Sequence, residues 1–405
     1  MRLSSTIIYL EKIIMRPYFL STVIGLFALL TAFQTPVLAQ NDTKLTQTSG
    51  KYSVELRIPP EGIFAEEETD LHVRISDSSQ IDPVQGAAPV IKAVLQPVLT
   101  MPAMASMAKQ IPKSHTEGIP GEYGVVLYCV HGGDFQLDLT VTPPGEKAFK
   151  VAFTLPVKDA QIAKNRKLKP KPFVLNVKTE PASVVSGATT GLKMQILSRE
   201  TKAPVILFDT VHERKFHFIV VSKDLTYFDH THPETGENGV FTINYTFPKG
   251  GEYRLFADVA PHDAGSQYLM QALQVKGGSA SASTPLKLSS GATVEGVKMS
   301  LTPVKTGLAA GKTYSLVFKI NDAKDGSPVK DLEPYLGAMA HLILIHQDAA
   351  TFVHSHPDES DPANGHNGAI TVLARFPKAG LFKGWLQVQR AGKVITLPFV
   401  VEVKK

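Results

Sequence analysis

Three copies of one short pattern divide this chain into units of similar length. Each copy has a glycine, a second glycine twelve residues later, and an aromatic residue two positions further on. The copies are Gly121, Gly133 and Phe135; Gly239, Gly251 and Tyr253; and Gly368, Gly380 and Phe382. A repeat at this long period indicates that one structural unit recurs, so we expect three domains that share a fold.

The repeated segment has the pattern of a β-hairpin. Between the glycines, apolar and polar residues alternate, which is the period of a half-buried strand. FPKGG (247–251) and FPKAG (376–380) are typical of turns between antiparallel strands, because Pro and Gly set the backbone angles. Similar short alternating runs recur along the chain. We therefore predict an all-β fold of three tandem immunoglobulin-like antiparallel β-sandwiches after a signal peptide.

The first 39 residues resemble a secretory signal peptide. Three basic residues precede the uncharged apolar run FLSTVIGLFALLTAF (19–33), and Val37-Leu38-Ala39 stands before Gln40. This order of basic, apolar and small residues favours export with cleavage after Ala39. The apolar run is short for a membrane span. We expect a periplasmic or secreted protein without a stable transmembrane segment after cleavage; a retained anchor is the alternative.

The remaining chain is predicted to contain three domains and two linkers. The linkers lack the strand pattern and are rich in Lys, Pro, Gly and Ser. The predicted segments are a signal peptide at 1–39, a first β-sandwich at 40–157, a linker at 158–170, a second β-sandwich at 171–276, a linker at 277–287 and a third β-sandwich at 288–405.

Charge and cysteine content exclude several classes of function. The formal net charge is +5, and no long Lys/Arg block is present, so we expect no nucleic-acid partner. Cys129 is the single cysteine, which excludes an intrachain disulfide and a thiolate metal cluster. It stands in the apolar strand VVLYCV and is interpreted as a small buried hydrophobic residue.

Histidines recur with identical spacing in the second and third units. Both segments have the pattern H-x12-H-x-H-P within sequence that is otherwise divergent. The two sets are His217, His230 and His232 in the second unit, and His341, His354 and His356 in the third. The spacing suggests a hairpin that carries three imidazoles.

Strand geometry predicts that each set of histidines shares one face. A two-residue hairpin loop at Lys223-Asp224 would place His217 directly opposite His230, with His232 on the same face. The third unit has the equivalent loop at Gln347-Asp348. Opposed Cβ atoms are about 4.5–5.5 Å apart, so three imidazoles can converge on one ion. We expect each set at the open, partly dry end of its own sandwich core.

Imidazole-only ligation suits Cu(II), Zn(II) or Ni(II), and the Irving–Williams order favours copper. We predict a copper ion, with zinc as the alternative, and an affinity that falls below about pH 6.5 as the ligands protonate. A structural, hydrogen-bonded histidine lid is the competing interpretation. His212, His346 and His366 flank the sites as supporting or exposed residues, and His72 and His262 are interpreted as surface residues.

The first unit has methionines in place of the histidine hairpin. Met101, Met104 and Met107 stand three residues apart, and His115 follows. Thioethers select Cu(I), so Met101 and Met104 are candidate metal ligands. The alternative is a methionine-lined turn that packs on the sandwich.

The first unit also resembles the YtkA-like (FixH-related) extracytoplasmic domains. The resemblance rests on TMPAMASM (100–107) and IPGEYGVVLYCVHGGDFQLDLTV (119–141). The second and third units are similar to secreted β-sandwich modules through HFIVVSKDLTYFDHTHPE (217–234) and through PYLGAMAHLILI (334–345) with FVHSHP (352–357). The resemblance implies an immunoglobulin-like sandwich and a link to copper, carried by Met101, Met104 and the six histidines of the repeated motif. The first unit lacks the HxHP motif, so the resemblance does not extend a third equivalent site to it.

These patterns predict an exported metal-binding protein, acting as a copper carrier or sequestration factor through two three-histidine hairpin sites. Its partners would be the metal ion and an extracytoplasmic protein. The alternative is a non-catalytic structural or adhesive array of immunoglobulin-like domains with structural histidines. We expect no enzyme, because no acidic general base has a fixed position beside both sets, and no G-x-S-x-G or H-E-x-x-H motif occurs.

Overall fold

The computed structural model describes residues 43–83, 86–104, 108–160, 170–262, 264–278, 285–357 and 364–405. The predicted signal peptide lies outside these residues, as do Met107 and much of both predicted linkers. The described residues form β-sheets that pair as three sandwiches along the chain, which confirms the all-β, immunoglobulin-like fold. Within these ranges, no helix has the length and apolar character needed to cross a bilayer.

The first sandwich packs two sheets around an apolar core. Its described strands are β1 (Thr43–Ser49), β2 (Tyr52–Ile58), β3 (Ile63–Phe64), β4 (Glu68–Asp82), β5 (Gly86–Pro89), β6 (Val94–Thr100), β7 (Lys113–Thr116), β8 (Glu122–Tyr128), β9 (Gly133–Thr142) and β10 (Phe149–Lys158). One sheet has the order β1-β2-β4-β8-β7 with β5 beside β4, and the other has the order β3-β10-β9-β6. Alternate residues such as Leu137, Leu139 and Val141 are fully buried between the sheets.

The second sandwich follows with the same two-layer arrangement. Its described strands are β11 (Phe173–Glu180), β12 (Thr189–Ser198), β13 (Phe208–Asp209), β14 (His217–Ser222), β15 (Phe228–Thr231), β16 (Glu234–Thr235), β17 (Val240–Thr246), β18 (Gly251–Pro261) and β19 (Gln267–Val275). The sheets have the orders β11-β12-β17-β16 and β13-β18-β14-β15, with β19 beside β18. The histidine hairpin β14–β15 therefore lies at one edge of the second sheet.

The third sandwich repeats this topology. Its described strands are β20 (Gly291–Val294), β21 (Val297–Leu301), β22 (Leu308–Ala309), β23 (Lys312–Asp322), β24 (Leu332–Glu333), β25 (His341–His346), β26 (Phe352–Ser355), β27 (Ala369–Phe376), β28 (Gly380–Arg390) and β29 (Lys393–Lys404). The sheets have the orders β20-β21-β23-β27 and β22-β29-β28-β25-β26, with β24 beside β28. Short 3₁₀ turns lie at Pro102–Met104, Glu237–Gly239 and His366–Gly368.

The first glycine of the repeat is required by close backbone approach. Gly239 and Gly368 have φ values of +67° and +63°, in the left-handed region that favours glycine. A Cβ atom at these positions would lie 1.9 Å from the carbonyl oxygen of Val205 and 2.1 Å from that of Ile320. Any other residue would force the strands apart, which explains why the repeat retains glycine here.

The register of the histidine hairpins differs from the prediction by two residues. In the second sandwich, His230 lies opposite Ile219, so His217 and His230 are diagonal neighbours rather than directly opposed. In the third sandwich, His354 lies opposite Ile343 in the same way. A shift of two preserves the face, because side chains alternate with a period of two. The predicted opposition was therefore wrong, while the three histidines still share one face.

Longer loops cause this shift. The loops contain four residues rather than two, since the N–H groups of Ser222 and His346 donate to the carbonyl oxygens of Tyr227 and Thr351, respectively. The Asp224 carboxylate accepts hydrogen bonds from the N–H and hydroxyl groups of Thr226. Aspartate side chains that bond the backbone two residues further on stabilise such turns. Asp348 plays the same part in the third sandwich, where its carboxylate accepts from two loop N–H groups.

The histidine face points away from the core of its own sandwich. Phe218 and Val220 belong to the core of the second sandwich, whereas Ile219 and Val221 belong to a separate apolar cluster. This cluster joins the second sandwich to the third. Its buried members are Ile219, Val221, Leu225, Phe256, Ile343, Ile345, Ala349 and Trp385. The expectation that each histidine set sits at the end of its own core was wrong, because both faces of these strands are buried.

Aromatic pairs repeat across this interface with approximate two-fold symmetry. Phe228 stacks on Trp385 with ring centroids 4.5 Å apart. Phe256 stacks on Phe352 with ring centroids 4.9 Å apart. Each sandwich thus contributes one ring from its hairpin and one from the neighbouring strand. Stacked rings of this kind add about 0.5–1.5 kcal/mol beyond the area they bury.

Replacing Ile343 by alanine should weaken this interface. Ile343 is fully buried and pairs with Trp385 in the strand register. We expect a loss of about 2–5 kcal/mol in the free energy of unfolding, because the substitution removes apolar contact and leaves a cavity. Denaturant unfolding followed by the emission of Trp385, the single tryptophan, measures the effect. Ile206→Ala, at a side chain that is 48% exposed, is the control and should change stability by less than about 0.5 kcal/mol. An equal effect of the two substitutions would contradict the role of the interface.

Candidate metal centre

Each histidine set converges on a small volume. In the second sandwich, Nδ1 of His217 lies 3.2 Å from Nε2 of His230 and 3.2 Å from Nε2 of His232. In each triad the three ring nitrogens lie within 4.8 Å of one another. A four-coordinate ion with bonds of about 2.0–2.1 Å has its ligand atoms about 3.3 Å apart. Two of the three nitrogen pairs in the second-sandwich triad therefore have the spacing that one ion requires.

The third sandwich repeats the arrangement. Nδ1 of His341 lies 3.5 Å from Nε2 of His354. Nε2 of His356 lies 3.0 Å from the same atom of His354. His232 and His356 directly follow the ends of β15 and β26, and both are half-buried. The other four imidazoles are almost fully buried.

Partners on the outer side of the rings determine which nitrogens carry protons. Nε2 of His217 lies 2.9 Å from the carbonyl oxygen of Val211, and Nε2 of His341 lies 2.9 Å from that of Tyr335. A carbonyl oxygen only accepts, so each Nε2 donates and the inward Nδ1 of the neutral ring bears a lone pair. Both carbonyls belong to tight turns that precede the strand; in the second sandwich the turn residues His212 and Glu213 have φ values of +43° and +64°.

The central histidines are oriented by the opposite sandwich. Nδ1 of His230 lies 2.7 Å from Oε1 of Gln387, whose amide nitrogen donates to Thr396. Nδ1 of His354 lies 2.5 Å from Oδ2 of Asp258. These acceptors hold a proton on Nδ1, so Nε2 is the nitrogen that faces inward and bears the lone pair when the ring is neutral. A side chain from the neighbouring domain therefore orients the central histidine of each triad.

The two triads face each other and form one cluster. The ring centroids of His217 and His354 are 5.5 Å apart, and those of His230 and His341 are 5.9 Å apart. The sequence predicted two separate hairpin sites, one per domain. The docking of the second and third sandwiches brings all six histidines together at their interface.

The environment keeps five of the six imidazoles neutral. Burial lowers the pKa of four of them, and neighbouring imidazoles lower it further. These four are His217, His230, His341 and His356. Burial, with a contribution from Arg214, lowers the pKa of His232 to about 4. At neutral pH these rings are therefore electron-pair donors, the form that binds metals.

The flanking histidines have different surroundings. His212 is buried, and its ring centroid lies 3.6 Å from that of His356, so it belongs beside the cluster. The repeat did not identify it, because the third sandwich has Leu336 at the equivalent turn position. His346 is buried and bonded to the loop backbone, whereas His366 is exposed.

His72 and His262, which were interpreted as surface residues, have side chains that are 36% and 23% exposed. Both are half-buried. Nδ1 of His262 lies 2.8 Å from a buried Asp209 carboxylate oxygen, and His72 lies 3.7 Å from Glu117. Carboxylates from neighbouring strands hold both rings against the protein.

The methionine segment lies in the first sandwich. Met101 is half-buried against the core, while Met104 is 47% exposed at the end of a 3₁₀ turn. Cys129 is buried in the same core, as expected, and burial raises the pKa of its thiol to about 11. Metal binding by Met101 and Met104 stays a prediction.

A third group of metal-type side chains in the first sandwich is an ion pair. Nε2 of His115 lies 2.8 Å from Oδ2 of Asp70, and Glu117 lies close to both. Burial alone would lower the pKa of His115, but the charge and hydrogen bond of Asp70 raise it to about 10. A protonated imidazole has no lone pair to offer a metal. This group therefore differs in kind from the two triads.

Each triad has its own opening. His354 and His356 line a cavity of about 270 Å³ where the three sandwiches meet, together with Asp70, Asp258 and Arg375. His232 lines a separate surface pocket with Lys178, Lys193 and Glu234. The two half-buried ligands, His232 and His356, thus border two different pockets.

The chain belongs to the family described as domain of unknown function DUF8832. The family match covers residues 174–276 and 292–405, which are the second and third sandwiches and just over half of the chain. The resemblance of the first sandwich to YtkA-like domains stays a prediction. No curated protein matches the chain.

The chain also matches solved structures at low sequence identity, and three of them are described below. The Escherichia coli adhesin FdeC is 16% identical and matches 89% of this chain and 100% of its own, with a TM-score of 0.19. The FN1–FN3 domains of chicken CNTN1 are 12% identical and match 86% and 97%, with a TM-score of 0.17. A membrane-anchored protein of Corynebacterium diphtheriae is 11% identical and matches 87% and 89%, also at 0.17. Superpositions at these scores support no inference about function.

The ion pair of His115 predicts a pH dependence of stability. The pKa of His115 is raised in the folded protein, so its stabilising contribution is complete below about pH 6.5, the ordinary value for histidine. The contribution declines as the pH rises and is lost through about pH 10. We expect His115→Gln to lower the free energy of unfolding at pH 7 by about 1–2 kcal/mol, since the ion pair is partly exposed. Measuring stability from pH 6 to pH 10 should show a shallower slope in the variant.

The exposed His366 supplies the control for this measurement. His366→Gln should retain both the stability and the pH slope of the parent protein, because this ring is exposed to solvent. If His115→Gln were to retain the parental slope as well, the raised pKa of His115 would be refuted.

Proposed function

We propose that this protein is an exported, non-catalytic metal-binding protein whose paired three-histidine sites carry or sequester copper, with zinc as the alternative ion. The proposal rests on the histidine cluster between the second and third sandwiches. Export rests on the leader-like sequence of residues 1–39. A protein that delivers or receives the ion outside the cytoplasm is the expected partner.

One observation carries the proposal: the triad of the second sandwich has more inward lone pairs than donors. Nδ1 of His217 and Nε2 of His230 both lack a proton, because their outer nitrogens donate to Val211 and Gln387, yet they lie 3.2 Å apart. His232 has one N–H to offer the pair. One buried lone pair therefore stays without a donor, which is costly unless a cation occupies the site.

The third sandwich has a similar inward-facing arrangement. Nδ1 of His341 carries a lone pair, because Nε2 donates to Tyr335, and it lies 3.5 Å from the inward Nε2 of His354. His356 can donate to one of them. In the second sandwich a hydrogen-bonded histidine lid therefore leaves an unsatisfied acceptor, whereas in either triad a metal ion satisfies all three nitrogens.

The donor set limits the kind of ion. Three neutral imidazoles in a largely dry setting suit Cu(II) and Zn(II), and hard oxygen-seeking ions such as Mg²⁺ or Ca²⁺ are disfavoured. A three-histidine site leaves a fourth coordination position. In a carrier, that position allows a ligand from a partner to approach before the ion is transferred.

The alternative function is a structural or adhesive array in which the histidines stabilise the contact between the sandwiches through hydrogen bonds. The hydrogen bonds His230–Gln387 and His354–Asp258 cross between sandwiches and favour this reading. In that case the imidazoles would stabilise the domain arrangement without binding an ion. The two functions make different predictions for metal stoichiometry.

Titration of residues 40–405 with Cu(II) and Zn(II) should reveal two bound equivalents. The variant His217→Ala/His341→Ala should bind neither, because each triad loses one ligand. Bound metal should raise the free energy of unfolding by about 2.7 kcal/mol per site when free ion is a hundredfold above Kd. Isothermal titration calorimetry and thermal unfolding with and without a chelator provide the measurements.

The variant His131→Ala/His366→Ala is the matched control. It also removes two histidines, one from the first sandwich and one from the third, but neither belongs to the cluster. It should bind two equivalents like the parent. Absence of binding by the parent protein, together with destabilisation of His217→Ala/His341→Ala, would favour the structural alternative.

A further inference from the structure

The two triads are related by approximate symmetry but differ at one position. In the second sandwich, Asp258 pairs with His217 in the strand register. In the third sandwich, Gln387 pairs with His341 in the same way. Each of these side chains reaches across the interface to the central histidine of the opposite triad. The third-sandwich triad is thus supported by a carboxylate, and the second-sandwich triad by an amide.

We propose that Asp258 and Gln387 are positioning residues that make the two sites unequal, so that the triad of the third sandwich binds its ion more tightly and fills first. This inference rests on the proposed metal-binding function and adds the order of filling. It also means that each site depends on a side chain from the other domain.

The carboxylate strengthens its site in two ways. Asp258 accepts the Nδ1–H of His354, which fixes the ring and increases electron density at the inward Nε2. Its negative charge also balances the charge of a cation bound on the other side of the ring. Gln387 orients His230 through an amide oxygen at a similar distance, but carries no net charge.

The burial of Asp258 favours a positive charge close to this carboxylate. Asp258 is 2% exposed, and its Oδ1 atom is buried without a hydrogen-bond partner among the described residues. Buried carboxylates are normally paired with a cation or with several donors. The hydrogen-bond partner of Asp258 is His354, so a cation bound to His354 would be attracted to this carboxylate. The amide nitrogen of Gln387 donates a hydrogen bond to Thr396, and the side chain has no charge that a cation would balance.

Two variants, each with one disabled triad, allow the metal affinity of the other triad to be measured alone. His232→Ala disables the second-sandwich triad, and His356→Ala disables the third, because each removes the ligand nearest solvent while keeping the fully buried rings. Competition with a chromophoric chelator then gives the Kd of the intact triad for Zn(II) and for Cu(II). We expect the lower Kd in His232→Ala.

The decisive comparison adds Asp258→Asn to each variant. Asparagine has the same shape and keeps an acceptor oxygen, but it removes the charge. We expect Kd to rise by about 10–100-fold in the His232→Ala background and to change less than about twofold in the His356→Ala background. Gln387→Glu should lower Kd by about tenfold in the His356→Ala background.

Asp209 provides a matched control for the loss of a buried carboxylate. It lies in the same sandwich and bonds a histidine, His262, at 2.8 Å, but it touches neither triad. Asp209→Asn should leave Kd unchanged in both backgrounds. The Kd after Asp258→Asn is measured in both the His232→Ala and the His356→Ala backgrounds. General destabilisation of the protein would raise Kd in both backgrounds, whereas the proposed effect raises it only in the His232→Ala background.

The outcomes separate this inference from the function on which it rests. If both single-site variants bind metal and Asp258→Asn affects them equally or not at all, the unequal support of the triads is refuted and metal binding stands. If neither variant nor the parent binds Zn(II) or Cu(II), both proposals are overturned.

Discussion

The contact between the second and third sandwiches is the constraint on which the centre depends. The strands HFIVV (217–221) and HLILI (341–345) are apolar on both faces, and each is buried on both. One face fills the core of its own sandwich, and the other packs against the neighbouring domain. Burying the second face places two histidine triads against each other and removes them from bulk water.

This packing also determines the chemistry of the histidines. Buried polar groups need partners, and the outer nitrogens find them in backbone carbonyls and in side chains that cross the interface. With those protons committed, the inward nitrogens lie 3.0–3.5 Å apart, and the neutral rings among them present lone pairs. The interface therefore does more than hold two domains together, because it specifies which atoms are available to a ligand.

The sequence predicted the features that depend on local pattern. The strand-rich fold, the hairpins and the common face of each triad follow from alternation and from spacing. The register of the hairpins did not follow from local pattern, because Asp224 and Asp348 stabilise four-residue loops by accepting hydrogen bonds from the loop backbone. The continuous apolar runs of β14 and β25 indicate burial on both faces, and this signal would have pointed to a domain interface.

The remaining features depend on contacts distant in the sequence. Asp258 and Gln387 lie in β18 and β28, and each bonds a histidine in the other domain. His212 approaches His356 through a turn whose third-sandwich counterpart carries Leu336. No spacing rule within a single hairpin identifies such residues, since their roles arise only when the sandwiches dock. The union of two predicted sites into one cluster arises in the same way.

Anomalous diffraction from crystals of the metal-loaded protein, measured at the absorption edges of copper and zinc, tests the central claim most directly. The account predicts two anomalous peaks at the interface of the second and third sandwiches, each with three histidine nitrogens at about 2.0–2.1 Å. Peaks confined to other parts of the protein, or fully loaded crystals with no peak among the six histidines, would contradict it.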